Sequence, residues 1–159
     1  MIYDQSYIKV QMKKATFYIL NSNNIQNGLT AIETLVCNLV NLFWRNKKRI
    51  LISCENKKQA YCLDEALWLY PANTFIPHNL VGEKINYSAP IEIIWPQHSH
   101  NYSKQDILIN LLPQFTNLVT VFDEVIDFVP YEKKILKELA RQRYKTYRGL
   151  GFQLSAVYQ

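Results

Sequence analysis

Short apolar runs rich in β-formers alternate with helical segments of a dozen or more residues, and this alternation constrains the chain more than any other feature. The runs are residues 15–20 (ATFYIL), 49–54 (RILISC), 91–95 (IEIIW) and 118–122 (LVTVF), with 125–129 extending or following the last. Between the first two, Leu29, Ile32, Val36, Leu39, Val40 and Phe43 recur at helical spacing, and the pattern ends near residues 45–48. A second helix is expected over Lys57–Leu69, with Ala60, Leu63 and Leu67 as its core stripe. Strands separated by helices imply βαβ units and a mainly parallel sheet covered on both faces. The expected class is therefore α/β, a Rossmann-like three-layer α/β/α architecture. Residues 21–24 and Asn27-Gly28 carry turn chemistry, and 78–89 and 97–104 read as loops. Residues 106–112 (DILINLL) fit a strand or the first turns of a helix, and 152–158 a last strand or a tail.

The 159 residues make one domain, expected over 12–159, with 1–11 an extension outside the core. Hydrophobic content of 48% can bury a core without metal or disulfides. Cys37, Cys54 and Cys62 are odd in number and include no CxxC pair, which fits a reducing compartment. No apolar run approaches the ~20 residues needed to cross a bilayer, and the amino terminus lacks a signal-peptide core. A cytoplasmic protein is expected, with no membrane partner.

Charge is concentrated in one place. Residues 131–152 (YEKKILKELARQRYKTYRGLGF) read as an amphipathic helix, with Pro130 just before its first turn and Gly149 and Gly151 closing it. Ile135, Leu136, Leu139, Ala140, Arg143 and Tyr147 share one broad face, which can pack on a core. Lys137, Arg141, Tyr144 and Arg148 lie opposite, with Lys145 beside them. Seven basic and two acidic residues between Tyr131 and Arg148 account for the whole net charge of +5. A neutral body carrying one basic helix fits a docking patch for an acidic partner; a merely solvated helix face is the competing reading.

Sites for chemistry are not evident. The loop after the first strand, NSNNIQNG, has one glycine and neither a GxGxxG nor a Walker lysine, so nucleotide binding is unsupported. There is no GxSxG elbow. His98 and His100 lack partners for a zinc shell, and His78 is expected to anchor its loop through hydrogen bonds. Asp123, Glu124 and Asp127 lack diagnostic metal spacing and are expected at caps or on the surface. Cys54 precedes Glu55, which raises a thiol pKa. No cofactor, metal or catalytic residue is therefore expected. One further surface is aromatic. Trp68 lies roughly 120° off the second helix's core stripe, with Tyr61, Tyr70, Pro71 and Phe75 nearby in sequence. It is either an interface anchor or a satellite of the core under the Phe75 loop.

The segments CENKKQAYCLDEALW, FIPHNLVGE, APIEIIWPQ, DILINL, EVIDFVPYE and LARQRYKTYRGLGF, in that order, resemble the chi subunit of bacterial DNA polymerase III. The resemblance runs from about Met12 to the end of the chain. It implies a Rossmann-like, noncatalytic accessory subunit of the clamp-loader complex. The implied partners are the psi subunit and the acidic carboxyl-terminal tail of single-stranded DNA-binding protein, which ends in aspartates followed by Ile-Pro-Phe. DNA is then met only indirectly. On this resemblance the tail-binding residues are Arg141, Tyr144, Lys145, Arg148, Val129 and Gly151, and charge adds Lys137. The psi-facing aromatics are Trp68 and Phe75, with Tyr61 and Pro71 in the same patch; some family members bind a repair helicase there instead. The alternative is a direct nucleic-acid-binding domain that lays the basic helix along phosphates.

Overall fold

In the computed structural model, the described residues are 12–70, 75–81, 89–96, 105–131 and 133–159. Seven parallel strands form one sheet: β1 (Lys14–Ile19), β2 (Ile50–Ser53), β3 (His78–Leu80), β4 (Ile91–Ile94), β5 (Ile107–Asn110), β6 (Glu124–Val129) and β7 (Gln153–Tyr158). Their order is β3-β4-β2-β5-β6-β1-β7. Helices α1 (Ala31–Arg45) and α2 (Lys57–Leu69) pack on one face, over Ile50, Ile52, Ile91, Ile93, Ile107 and Ile109. Helix α3 (Lys134–Gly149) packs on the other, over Ala15, Phe17, Leu108 and Val125. The Rossmann-like three-layer expectation holds. Strands β2, β4 and β5 are buried at every position because both of their faces are covered.

Local chemistry sets the element ends. Asn27 and Gly28 both take positive φ, 53° and 77°, in a tight turn closed by paired Gln26 and Leu29 backbone bonds. Thr30 and Glu33 then form a capping box that starts α1. Asn56 caps α2, whose stripe Ala60, Leu63 and Leu67 is buried as expected.

Several expectations need correction. Residues 118–122 are not a strand: Asn117–Val121 is a 3₁₀ turn, initiated by the Thr116 hydroxyl accepting the Leu118 N–H. Only Val119 of that turn is buried, so it lacks a strand's hydrophobic face, and β6 fills the slot between β5 and β1. Residues 78–80 are not loop but β3, because the His78 side chain is buried and the backbone pairs with β4. Helix α3 starts at Lys134 rather than Tyr131, after a turn in which Lys133 N–H bonds Tyr131 O. It ends at Gly149, as the glycines there led one to expect. Residues 106–112, left open, contain strand β5, and 152–158 contain strand β7. The extension 1–11, the loop 97–104, and Pro71, Gly82, His98 and His100 lie outside the described residues.

The rotation of α3 is fixed by a buried polar cluster. Asp127, in β6, is 1% exposed, not a cap or surface residue. Arg143 grips its carboxylate, Nη2 donating at 3.0 Å to Oδ1 and Nε at 3.1 Å to Oδ2. Arg143 also donates to the Phe128 and Pro113 carbonyls. Tyr147, one turn on, donates its hydroxyl to Asp127 Oδ2 at 2.6 Å. Burial, then the Asp127 charge, raises the Tyr147 pKa and keeps it a donor. Asn110 at the end of β5 donates to both Asp127 and Tyr147. This geometry centres the buried face on Ala140, Arg143 and Tyr147. Ile135, next to half-buried Leu136 and therefore about 100° round the helix, is thrown outward and is 78% exposed; its expected place on the core face is wrong.

Asp127→Ala leaves a buried guanidinium without its carboxylate, and a loss of about 3–5 kcal/mol is expected. Urea denaturation measures it. The double variant Asp127→Ala/Arg143→Met should recover part of the loss, because an apolar pair needs no compensating charge.

Candidate functional site

Two surfaces stand out, one on α3 and one on α2. On α3, Lys133, Lys134, Lys137, Arg141, Lys145 and Arg148 are exposed. Arg143 is not part of this ridge, since Asp127 neutralises it inside. Arg141 meets Glu138 at 3.1 Å, but the two side chains are 67% and 52% exposed. Such a pair holds at most about 1 kcal/mol and opens readily for a better partner. The amino end of α3 has no side-chain cap and no acid in its first turn, so its helix dipole adds to the positive field.

Tyr144 is half-buried rather than wholly turned to water, because its ring stands edge-on to Phe17 of β1 at 5.3 Å. The Arg148 guanidinium lies over the same ring, 5.3 Å from its centre. Val129, half-buried at the end of β6, packs on the same apolar cluster as Tyr144. Tyr144 thus supplies an apolar surface beside the cations. Gly151 lies at the Arg148 end of the ridge, its N–H bonded to Arg148 O. Val129 aligns with Ile19 and Tyr158, whereas Gly151 precedes Gln153, which aligns with Lys14. The two therefore lie near opposite ends of the strands, roughly 20 Å apart at a strand's rise per residue.

The second surface is aromatic. Trp68 is 53% and Phe75 65% exposed, with ring centres 5.3 Å apart. Trp68 also rests on His78, 4.6 Å between centres. The buried His78 ring lies between the Ile76 carbonyl, 2.7 Å from Nδ1, and Asp64, whose carbonyl and carboxylate oxygens are 2.9 Å and 3.3 Å from Nε2; a neutral ring donates to one of these two sides. Its expected anchoring role is observed. Trp68 therefore combines both readings: it packs against Phe75 and still shows half its surface. Tyr61 is 47% exposed and leans on Trp95, and Leu69 is exposed nearby on the same helix.

A crevice of about 430 Å³ opens at the carboxyl ends of β1, β5 and β6, bounded by Leu20, Ala31, Leu112, Tyr131 and Leu136. Its one buried cation, Arg143, is already bound to Asp127. No group of three or more His, Cys, Asp and Glu residues placed to hold a metal occurs among the described residues. Burial lifts the Cys37 thiol to about 12 and raises Cys54 as well, so neither is a nucleophile at neutral pH. No helix among the described residues is long and apolar enough to cross a membrane.

A family profile described as DNA polymerase III chi subunit, HolC, matches residues 12–155. The DNA polymerase III subunit chi of Escherichia coli (strain K12) is 54% identical over 146 residues, covering 92% of this chain and 98% of that one. This chain belongs to the DNA polymerase III chi subunit family. The Haemophilus influenzae subunit chi is 43% identical over 143 residues, covering 90% of this chain and 95% of its own. Among solved structures, the crystal structure of T4 UvsW aligns with a TM-score of 0.63 at 8% identity, over 94% of this chain and 42% of that one; this likeness is of fold alone. Membership in the chi family gives the chain an accessory role in DNA replication, and chi names a subunit, not a catalytic activity.

Sequence reasoning missed what supports the chi ridge. Phe17 under Tyr144 and the set Asp127, Asn110, Arg143 and Tyr147 were not assigned together. A signal was present: an acid inside the apolar strand EVIDFV, and an Arg–Tyr pair four apart on the apolar stripe of the helix. Gly151 has a structural reason of its own. Its N–H bonds Arg148 O and that of Phe152 bonds Tyr147 O, a Schellman closure with Gly151 at φ 91° and the Phe152 ring against Tyr147. Gly151→Ala should therefore cost about 1 kcal/mol through the strained φ, although a new Cβ meets nothing within 4 Å. A drop in the urea midpoint would register it.

Proposed function

We propose that this chain links the clamp-loader complex, through a psi subunit, to the acidic carboxyl-terminal tail of single-stranded DNA-binding protein. The observation that carries the reading is the exposed cationic ridge of α3 beside half-buried Tyr144, on a body otherwise neutral in charge. A tail ending in aspartates, Ile, Pro and Phe needs an apolar notch and cations for its carboxylates. Arg141 can fork to the terminal carboxylate in bidentate fashion. Lys137, Lys145 and Arg148, all exposed, would meet the aspartates, and Val129 and Tyr144 would receive the phenylalanine. Binding should be modest and weaken with salt. The psi subunit, or a repair helicase in its place, takes the Trp68, Phe75 and Tyr61 patch, where half-exposed aromatics offer anchors. Direct nucleic-acid binding by α3 is the second reading; oligonucleotide affinity at ~150 mM salt without any partner protein is what it requires.

Arg141→Ala should eliminate calorimetrically detectable binding of an acidic Phe-terminated peptide while circular dichroism stays native. Equal binding by variant and wild type would remove Arg141 from the site. Trp68→Ala should weaken psi capture and leave the peptide isotherm unchanged. Parallel loss of both would show that the two surfaces are coupled.

A further inference from the structure

The sheet ends at β7, whose outer side is paired with no strand among the described residues. Gln153 N–H donates to Lys13 O and Gln159 N–H to Ile19 O, both toward β1. Alternation then turns the N–H groups of Leu154, Ala156 and Tyr158 toward the open edge. Natural edges are usually guarded by charge, proline, bulges or shortness. The opposite edge, β3, is short, with three buried residues. Strand β7 (QLSAVY) has six residues in unbroken register with β1, contains no charge or proline, and exposes Ser155 through Tyr158.

The charged neighbour of this edge says what covers it. Arg143 of α3 reaches Asp127 in β6, and Tyr144 reaches Phe17 in β1. Since β1 lies between β6 and β7, the Tyr144 flank of α3 is the one on the β7 side. At 100° per residue Lys137, Arg141 and Arg148 continue that flank. The open main chain is thus bordered by cations along its length. A second copy paired about a two-fold axis would bring its own cationic flank against this one, which disfavours self-pairing.

We propose that the β7 edge takes up, as an added strand, an extended segment of the acidic partner just upstream of the end held at Arg141. This rests on the tail-binding reading and deepens it. Main-chain bonds to the Leu154, Ala156 and Tyr158 edge would hold the segment without reading its sequence, and the ridge would select its negative charge.

The test compares two peptides on the full chain: the terminal Asp-Ile-Pro-Phe alone, and the same end preceded by about six more acidic residues, the length of β7. The long peptide should slow amide exchange at Leu154, Ala156 and Tyr158, read by NMR, and the short one should not. Ala156→Pro removes an outward N–H without breaking a bond to β1. It should weaken the long peptide about fivefold, as expected for one or two lost backbone bonds, and spare the short one. A long peptide N-methylated at alternate amides should show the same loss on the wild-type chain, whether or not the proline variant folds. Unchanged exchange at the three amides, or unchanged affinity of the methylated peptide, overturns strand addition alone. Failure of the short peptide to bind overturns the tail reading and this one with it. A dimer that Ala156→Pro abolishes would give the edge to a second copy.

Discussion

Everything on the α3 side of this protein depends on the buried grip of Arg143 on Asp127. Two charges removed from water cost several kcal/mol each, and only near-complete hydrogen bonding offsets that. Here the carboxylate accepts from Arg143, Tyr147, Asn110 and the Phe128 N–H, and the guanidinium also donates to two carbonyls. Such a cluster tolerates little displacement. It sets the depth and the rotation of α3 on the sheet more sharply than Ala140 and its half-buried neighbours could, because hydrophobic contact is indifferent to small turns and bidentate bonding is not.

The surface follows from that rotation. With Arg143 and Tyr147 pointing inward, Lys137, Arg141, Lys145 and Arg148 face water, and Tyr144 falls at the boundary, where Phe17 supports it. The same turn exposes Ile135. The cost of a buried ion pair is therefore tied to presenting a cationic flank in one orientation. The aromatic patch has a parallel logic, since His78, buried between Ile76 and Asp64, gives Trp68 its seat. The patch sits on α2, on the opposite face of the sheet from α3, so two partners could be held without competing.

Most of the layered fold was legible because β-runs and helical stripes carry distinct periods. Lys57–Leu69 is a helix as read, and β1, β2, β4 and β6 fall within a residue or two of expectation. The errors share a cause. LVTVF has strand composition, yet its fate was decided by a Thr116 cap and by competition with the neighbouring EVIDFV for one slot in the sheet. HNL has loop composition, yet a buried histidine made it a strand. Asp127 read as surface because a lone acid usually is; only the fold supplies Arg143, sixteen residues away, as its partner. The cationic ridge was legible in charge alone. The support beneath Tyr144 was not, because Phe17 is remote in sequence.

The position of β1 has a consequence for biosynthesis. Among the described strands it is the first made, yet its two neighbours, β6 and β7, are the last two made. During translation its apolar residues, Ala15 and Phe17 among them, have no sheet to join until nearly the whole chain has left the ribosome. The β2–β5 half can assemble earlier around α1 and α2. A nascent chain of this shape carries an unpaired hydrophobic ribbon until β6 and β7 are made, and that ribbon is where chaperone engagement or premature association would begin.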